Sequence, residues 1–137
     1  MGNPKGSRTE RELLYLFHST GKFAPLRIAG SGSSPLPCPD LIVGGMNRVF
    51  AIECKSGKGR RDIDKQQIEE LKEFSRIFGA EPWIATRFNN MPWYFLKLNQ
   101  LGISKGKNYF IDQEIAIKKG IKFEELIGKY KQKKLYS

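Results

Sequence analysis

The chain has 137 residues, 39% hydrophobic and 12% aromatic, enough for one domain with its own core and too apolar for generic disorder. It carries 24 Lys or Arg against 14 Asp or Glu, a formal charge of +10 with pI near 9.7, a surplus that suits a polyanionic partner such as nucleic acid. No segment approaches the roughly 20 apolar residues of a membrane span, no secretory apolar run follows Met1–Ser7, and two cysteines with one histidine supply neither a disulfide framework nor a Cys/His zinc site. The composition therefore predicts a soluble, intracellular protein, cytoplasmic and DNA-associated, with no membrane partner.

Residues 1–6, rich in Gly, Pro and Asn, read as a flexible N-terminus. A helix is predicted over 8–19, stopped by Gly21. Its Leu13, Leu14 and Phe17 share one face, and steps of three and four residues put Glu10 on that face while Glu12 points to solvent. Ser7-Arg8-Thr9-Glu10 also fits a capping box, and spacing alone favours that structural role for Glu10. Residues 23–29 read as a strand, with Pro25 marking an edge. Residues 30–39 form a long Gly/Ser/Pro loop of the kind that carries function. Asp40 opens a short apolar strand over 41–43, residues 44–47 turn the chain, and residues 49–55 (VFAIECK) form the next strand.

This hairpin holds the sharpest signal in the sequence. Alternation puts Glu53 and Lys55 on one face with Val49 and Ala51, and Phe50, Ile52 and Cys54 on the other. Reversal through residues 44–47 sets Asp40 opposite residue 52 or 53. Two carboxylates and an ammonium then converge. A plain salt bridge from Lys55 to Asp40 or Glu53 accounts for the lysine but leaves one carboxylate unpaired. Hard divalent cations such as Mg²⁺ take such oxygen ligands together with several waters, and suit phosphodiester hydrolysis. Lys55 would orient the attacking water or stabilise the transition state, and Glu10 would add a further carboxylate.

Residues 57–61 (GKGRR) form a basic loop, either a solvated turn or a phosphate contact. A second helix is predicted over 64–78, with Asp64 as N-cap and Gly79 as C-cap. Gln67, Leu71, Phe74 and Phe78 make an apolar stripe flanked by Ile68 and Ile77, ordinarily core, part of which could face a partner subunit. Strands follow over 82–88 and 93–98, then an extended piece at 108–111. A last helix over 122–130 carries Phe123, Leu126, Ile127 and Tyr130 on one face, before a basic tail with Lys131, Lys133 and Lys134. This order predicts a single α/β domain spanning 1–137, with a central mixed five-stranded sheet covered by helices.

Pro39-Asp40 with Glu53-Cys54-Lys55 is the signature of the restriction-endonuclease-like nucleases. The series widens to residues 6–13 (GSRTEREL), Arg27 ahead of Gly30-Ser31-Gly32, residues 52–56 (IECKS), Gln67 and residues 71–79 (LKEFSRIFG). Over about residues 5–97 the chain thereby resembles the archaeal Holliday-junction resolvases. The resemblance implies a restriction-endonuclease-like fold and a homodimer that nicks opposed strands of four-way junction DNA in recombination and repair. It implies Glu10, Asp40, Glu53, Lys55 and Ser31 as catalytic residues, with Glu10, Asp40 and Glu53 holding Mg²⁺, for which Mn²⁺ would substitute. Glu10 thus becomes a catalytic candidate as well as a cap. Arg11, Arg27, Ser31 and Gln67 match DNA-contact or near-site positions, and Phe74 and Phe78 match a dimer interface. Lys5, Arg8, Lys58, Arg60 and Arg61 join them as candidate DNA contacts from their charge. Two alternatives stay open: a related nuclease acting on another branched or duplex DNA, and a non-catalytic DNA-binding module.

Overall fold

The computed structural model describes residues 4–128, with side chains from Arg8 onward. Helix α1 (Pro4–Ser19) begins a turn earlier than the sequence predicts, because Pro4 suits a first helical turn and nothing in residues 5–7 stops the helix. Ser7 is therefore inside the helix and is no N-cap, which overturns the capping-box role for Glu10. The expected flexible segment 1–6 is corrected in the same way: Pro4, Lys5 and Gly6 are helical, and residues 1–3 lie outside the described residues. Gly21, at φ 69°, ends the helical run as expected.

The chain continues through β1 (Ala24–Arg27), β2 (Leu41–Gly45) and β3 (Arg48–Cys54), an antiparallel meander. Met46 and Asn47 make the β2–β3 turn with φ of 53° and 59°, the pair of left-handed residues that a twisted two-residue hairpin turn requires. β4 (Arg61–Ile63) leads into α2 (Lys65–Phe78), which crosses over to β5 (Glu81–Thr86), parallel to β3. β6 (Tyr94–Leu96), β7 (Gly102–Ile103), β8 (Tyr109–Ile111), α3 (Gln113–Lys119), β9 (Ile121–Lys122) and α4 (Phe123–Leu126) complete the described chain.

The central sheet has the order β1-β2-β3-β5-β6-β9. It is the expected mixed sheet of five strands, extended at the β6 edge by the two-residue β9. The extended piece expected at 108–111 is β8, the middle strand of a satellite sheet, β4-β8-β7; the sequence predicts neither that sheet nor α3. The expected helix over 122–130 is a single turn, α4; Tyr130 and the basic tail lie outside the described residues.

Both sheet faces are covered, so β3 is apolar on both sides. One cluster joins Leu13 and Phe17 of α1 to Phe50, Ile52, Trp83, Phe95 and Phe123. Phe17 packs edge-on against Phe123 and Phe23, at ring-centre distances of 5.0 and 5.9 Å. The other cluster joins Ala51, Ile84 and Leu96 to Ile68 and Leu71 of α2 and to Ile63 and Ile111 of the satellite sheet. The face of α2 turned inward is Ile68, Leu71 and Ser75, so the predicted stripe is displaced: Gln67 is exposed, Ile77 is 71% exposed and Phe78 54%. At the start of β3, Arg48 grips both Glu81 oxygens at 2.9 Å and donates to the Leu126 carbonyl at 2.6 Å. That clamp fixes β3 against β5 at the end of the strands remote from the acidic residues.

Candidate active site

Pairing of Leu41 with Ile52 continues for one more step, where the Asp40 amide donates to the Ile52 carbonyl at 3.0 Å. Asp40 is thus opposite Glu53, one of the two registers the sequence allows. Its carboxylate is held at both oxygens: the Ser31 hydroxyl donates to Oδ1 at 2.6 Å and the Cys54 amide to Oδ2 at 2.8 Å. Asp40 is only 9% exposed, and the short 3-10 turn Ser31–Ser33, entered through left-handed Gly30, delivers the hydroxyl. A buried carboxylate with two donors is fixed in orientation without an ion pair.

Glu53 carries the electrostatic consequence. Burial, the Asp40 charge and a hydrogen bond to Asp40 push its carboxyl up to about 8, against the opposing pull of the Lys55 ammonium. Glu53 therefore retains its proton at neutrality in the metal-free protein. The same field, on top of burial, pushes the Cys54 thiol well up, so Cys54 is no nucleophile. Lys55, its backbone amide on the Ala85 carbonyl at 2.8 Å, lines the same cleft as the two acids.

Glu10 lies on the inward side of α1 and receives Arg27 Nε at 3.0 Å, both side chains 19% exposed. Burial and the Asp40 charge raise its carboxyl despite that bond and the Arg11 charge. Among the described residues, however, no group of three or more His, Cys, Asp or Glu side chains could hold a metal ion. Glu10 lines the same cleft as the Asp40–Glu53 pair, close enough for its charge to act on Glu53, with Arg27 on its Oε1.

The acids open onto a cleft of about 720 Å³, to which Ser31, Lys55, Arg61, Gln67 and Phe74 also contribute. Arg61 Nη1 donates to the Ser56 carbonyl. Arg11 and Lys58 are exposed, and the Lys5 side chain lies outside what is described. Arg8 borders a second cleft of about 340 Å³ with Arg87, Asn89 and Asn90. Arg60 lies instead on the satellite sheet. Phe74 and Phe78 stack with ring centres 5.2 Å apart, extending the cleft wall to the surface.

Sequence reasoning missed two features here. Glu12 is not merely solvated: it receives Arg87 Nη1 at 2.8 Å and Trp93 Nε1 at 3.3 Å, partners 75 and 81 residues away that no local pattern announces. Ser56, which touches both clefts, has a buried hydroxyl without a hydrogen-bond partner among the described residues.

A mixed sheet whose hairpin delivers Asp40, Glu53 and Lys55 to one cleft defines a restriction-endonuclease-like fold. The chain belongs to the archaeal Holliday junction resolvase family, whose model (Hjc) matches residues 1–135. It is 37% identical over 131 residues to the crossover junction endodeoxyribonuclease Hjc of Archaeoglobus fulgidus, covering 95% of this chain and 94% of that one. The Methanocaldococcus jannaschii protein of the same name is 44% identical over 134 residues, covering 96% and 92%. The solved structure of Archaeoglobus fulgidus Hjc, a Holliday junction resolvase, superposes with a TM-score of 0.80 at 34% identity, covering 90% of this chain and 98% of that one.

Proposed function

We propose that this protein is a structure-selective endonuclease that resolves four-way DNA junctions by paired, metal-dependent phosphodiester hydrolysis. The observation that carries the reading is the Asp40–Glu53 pair, set by strand register and opening with Lys55 onto a cleft large enough for a nucleic-acid backbone. Family membership supplies the substrate class.

The donor set fits a hard divalent cation. Asp40 and Glu53 present carboxylate oxygens to one cleft, the Asp40 charge helping to raise Glu53, and these two side chains would hold the cation, whose charge would favour the ionised form of Glu53. Mg²⁺, with Mn²⁺ as substitute, is the ion we assign, because two carboxylates leave most of its positions to water and phosphate oxygens. When bound, the ion supplies charge neutralisation at the phosphoryl group and acidifies a water.

The protein's own residues do the rest. Ser31 and the Cys54 amide keep Asp40 in one orientation, and Lys55 places positive charge where the phosphorane develops. Arg27 holds Glu10 at the cleft wall and, with Arg11, Arg61 and Gln67, receives the DNA backbone. Water adds to phosphorus in line as the P–O3′ bond breaks, leaving 5′-phosphate and 3′-hydroxyl ends. Two copies joined through Phe74 and Phe78 would present two such sites to a junction of approximate two-fold symmetry.

The test is a synthetic four-way junction and a matched linear duplex, each incubated with Mg²⁺. Paired nicks in opposed strands of the junction alone are expected. Equal cutting of both substrates points to the broader nuclease reading, and binding without cutting to the non-catalytic one; either overturns the proposal.

A further inference from the structure

The satellite sheet has one face turned inward and one turned out. Ile63 and Ile111 are 1% and 0% exposed and join the α2 side of the core. On the opposite face, strand register puts Asp62, Phe110 and Gly102 in one row across β4, β8 and β7. The Phe110 ring lies directly over Gly102, where an added Cβ would stand 2.4 Å from the ring, so only glycine admits it. On the same ring rests the Arg60 guanidinium, 3.9 Å from its centre, with Nε bonded to Asp62 at 3.1 Å. Arg60 is exposed yet held flat at two points, leaving its terminal nitrogens to solvent-side partners.

The β7–β8 turn adds two exposed cations, Lys105 and Lys107, on a loop closed by bonds between Ser104 and Asn108, and Lys107 takes a left-handed φ of 65°. Both bonds run from Ser104, whose amide and hydroxyl donate to the Asn108 carbonyl at 2.8 and 3.2 Å, and the loop is not free to wander. Asn108 Oδ1 receives the Lys65 amide at 3.1 Å, capping α2 in place of Asp64, whose own side chain makes no cap bond. Arg61, next in sequence to Arg60, lines the active-site cleft. The platform is therefore tied to the cleft at both ends, through β4 and through the start of α2.

We infer that Arg60, stacked on Phe110, together with Lys105 and Lys107 forms a second phosphate-binding surface, which grips the duplex arm of the DNA as it leaves the active-site cleft. The occupant follows from charge: three presented cations with a planar fork among them suit a row of phosphates, and the one acid in the row, Asp62, is taken up by Arg60. The inference rests on the DNA-cleaving reading above and adds to it a grip on the DNA made away from the scissile bond.

The experiment compares the wild-type protein with the triple variant Arg60→Ala/Lys105→Ala/Lys107→Asn, Asn tolerating the left-handed φ. Dissociation constants are measured against salt for a four-way junction with long arms and one with arms trimmed to a few base pairs. On long arms the variant should bind about tenfold more weakly, and its log–log salt slope should be shallower by about 2 to 3, near 0.9 for each phosphate that is no longer neutralised. On trimmed arms the two proteins should bind alike. Arg60→Lys, which keeps the charge and gives up the flat stack, should lose affinity on long arms with little change in slope. An unchanged slope on long arms, or an equal loss on both substrates, would overturn the surface. Wild-type cleavage of the same junctions is scored alongside, so failure of the nuclease reading shows there independently of the arm grip.

Discussion

Asp40 and Glu53 face each other across the last step of the β2–β3 ladder, and the first is held by two hydrogen bonds while the second has its carboxyl pushed up by burial and by its neighbour's charge. The two carboxylates are thus unequal. Asp40 is positioned in advance; Glu53 is the one whose protonation changes with what occupies the cleft.

Asp40→Asn should abolish nicking while leaving junction binding within a few-fold, because the amide oxygen still accepts from Cys54 while the site loses a charged ligand. A loss of at least ~10³-fold in single-turnover cleavage is expected. Gel-shift and single-turnover assays on one junction check it, and near-normal nicking would remove Asp40 from the chemistry.

Glu53→Gln separates stability from activity through pH. The folded Glu53 carboxyl sits near 8, above its ordinary value of 4.5, so the native state holds that proton more tightly than the unfolded state does. Its contribution is fully present below 4.5 and is lost as pH rises through 8. The metal-free variant, neutral throughout, should become progressively more stable than wild type between pH 5 and pH 8, by about 1–3 kcal/mol at the upper end. A melting difference that stays flat across this range would show that the Asp40 field does not act as described.

Ser31→Ala removes the 2.6 Å donor to Asp40 Oδ1 and leaves the Cys54 amide in place. Cleavage should fall by about 10- to 100-fold, and Ser31→Thr, which restores a hydroxyl, should recover part of it. Equal rates for the alanine variant and wild type would reduce Ser31 to a loop residue.

Arg48→Ala tests the remote clamp. Loss of the Glu81 pair and of the bond to the Leu126 carbonyl should cost about 1–2 kcal/mol, a fall of roughly 3–6 °C in Tm. Cleavage per folded molecule should hold, since Arg48 opens β3 and Glu53 lies near its other end. A specific loss of activity without a melting change would contradict that division.

Phe78→Asp tests the assembly. Phe78 is 54% exposed and stacks on Phe74, so the change leaves the core alone and charges the surface proposed to join two copies. Sedimentation should move from dimer to monomer, and nicks on the two junction strands should lose their coupling. A variant that remains dimeric would put the interface elsewhere.

The hairpin is the most legible part of the molecule, because period-two alternation fixes the faces of Glu53 and Lys55 and a short turn narrows the partner of Asp40 to two positions, between which the observed register decides. The same local reasoning misjudges Glu10, because the capping-box pattern at Ser7–Glu10 lies inside a helix that starts at Pro4. What decides Glu10 is Arg27, seventeen residues on, and what decides Glu12 is Arg87 and Trp93. Such partners are set by tertiary packing and leave no periodic trace. The satellite sheet escapes for a related reason: only β8 is legible, as the extended piece at 108–111, while β4 and β7, of three and two residues, carry too few alternations and are stabilised by their pairing. On α2 the period was right and the phase was not, since aromatic bulk drew attention to Phe74 and Phe78 while the helix buries Ile68, Leu71 and Ser75.

The Met46–Asn47 turn works as a ruler. Asp40 lies six residues before Met46 and Glu53 six residues after Asn47, so the two acids meet because the arms measured from the turn are equal. A residue inserted or deleted in either arm would bring Asp40 level with a side chain on the opposite face of β3, disarming the site while the sheet still forms. Substitutions elsewhere in the hairpin change how well the acids work; a change in length decides whether they meet at all. The loop over residues 33–39 joins Asp40 from the other side and sets no such count, so length variation of the chain near its active site has room there and none in the hairpin.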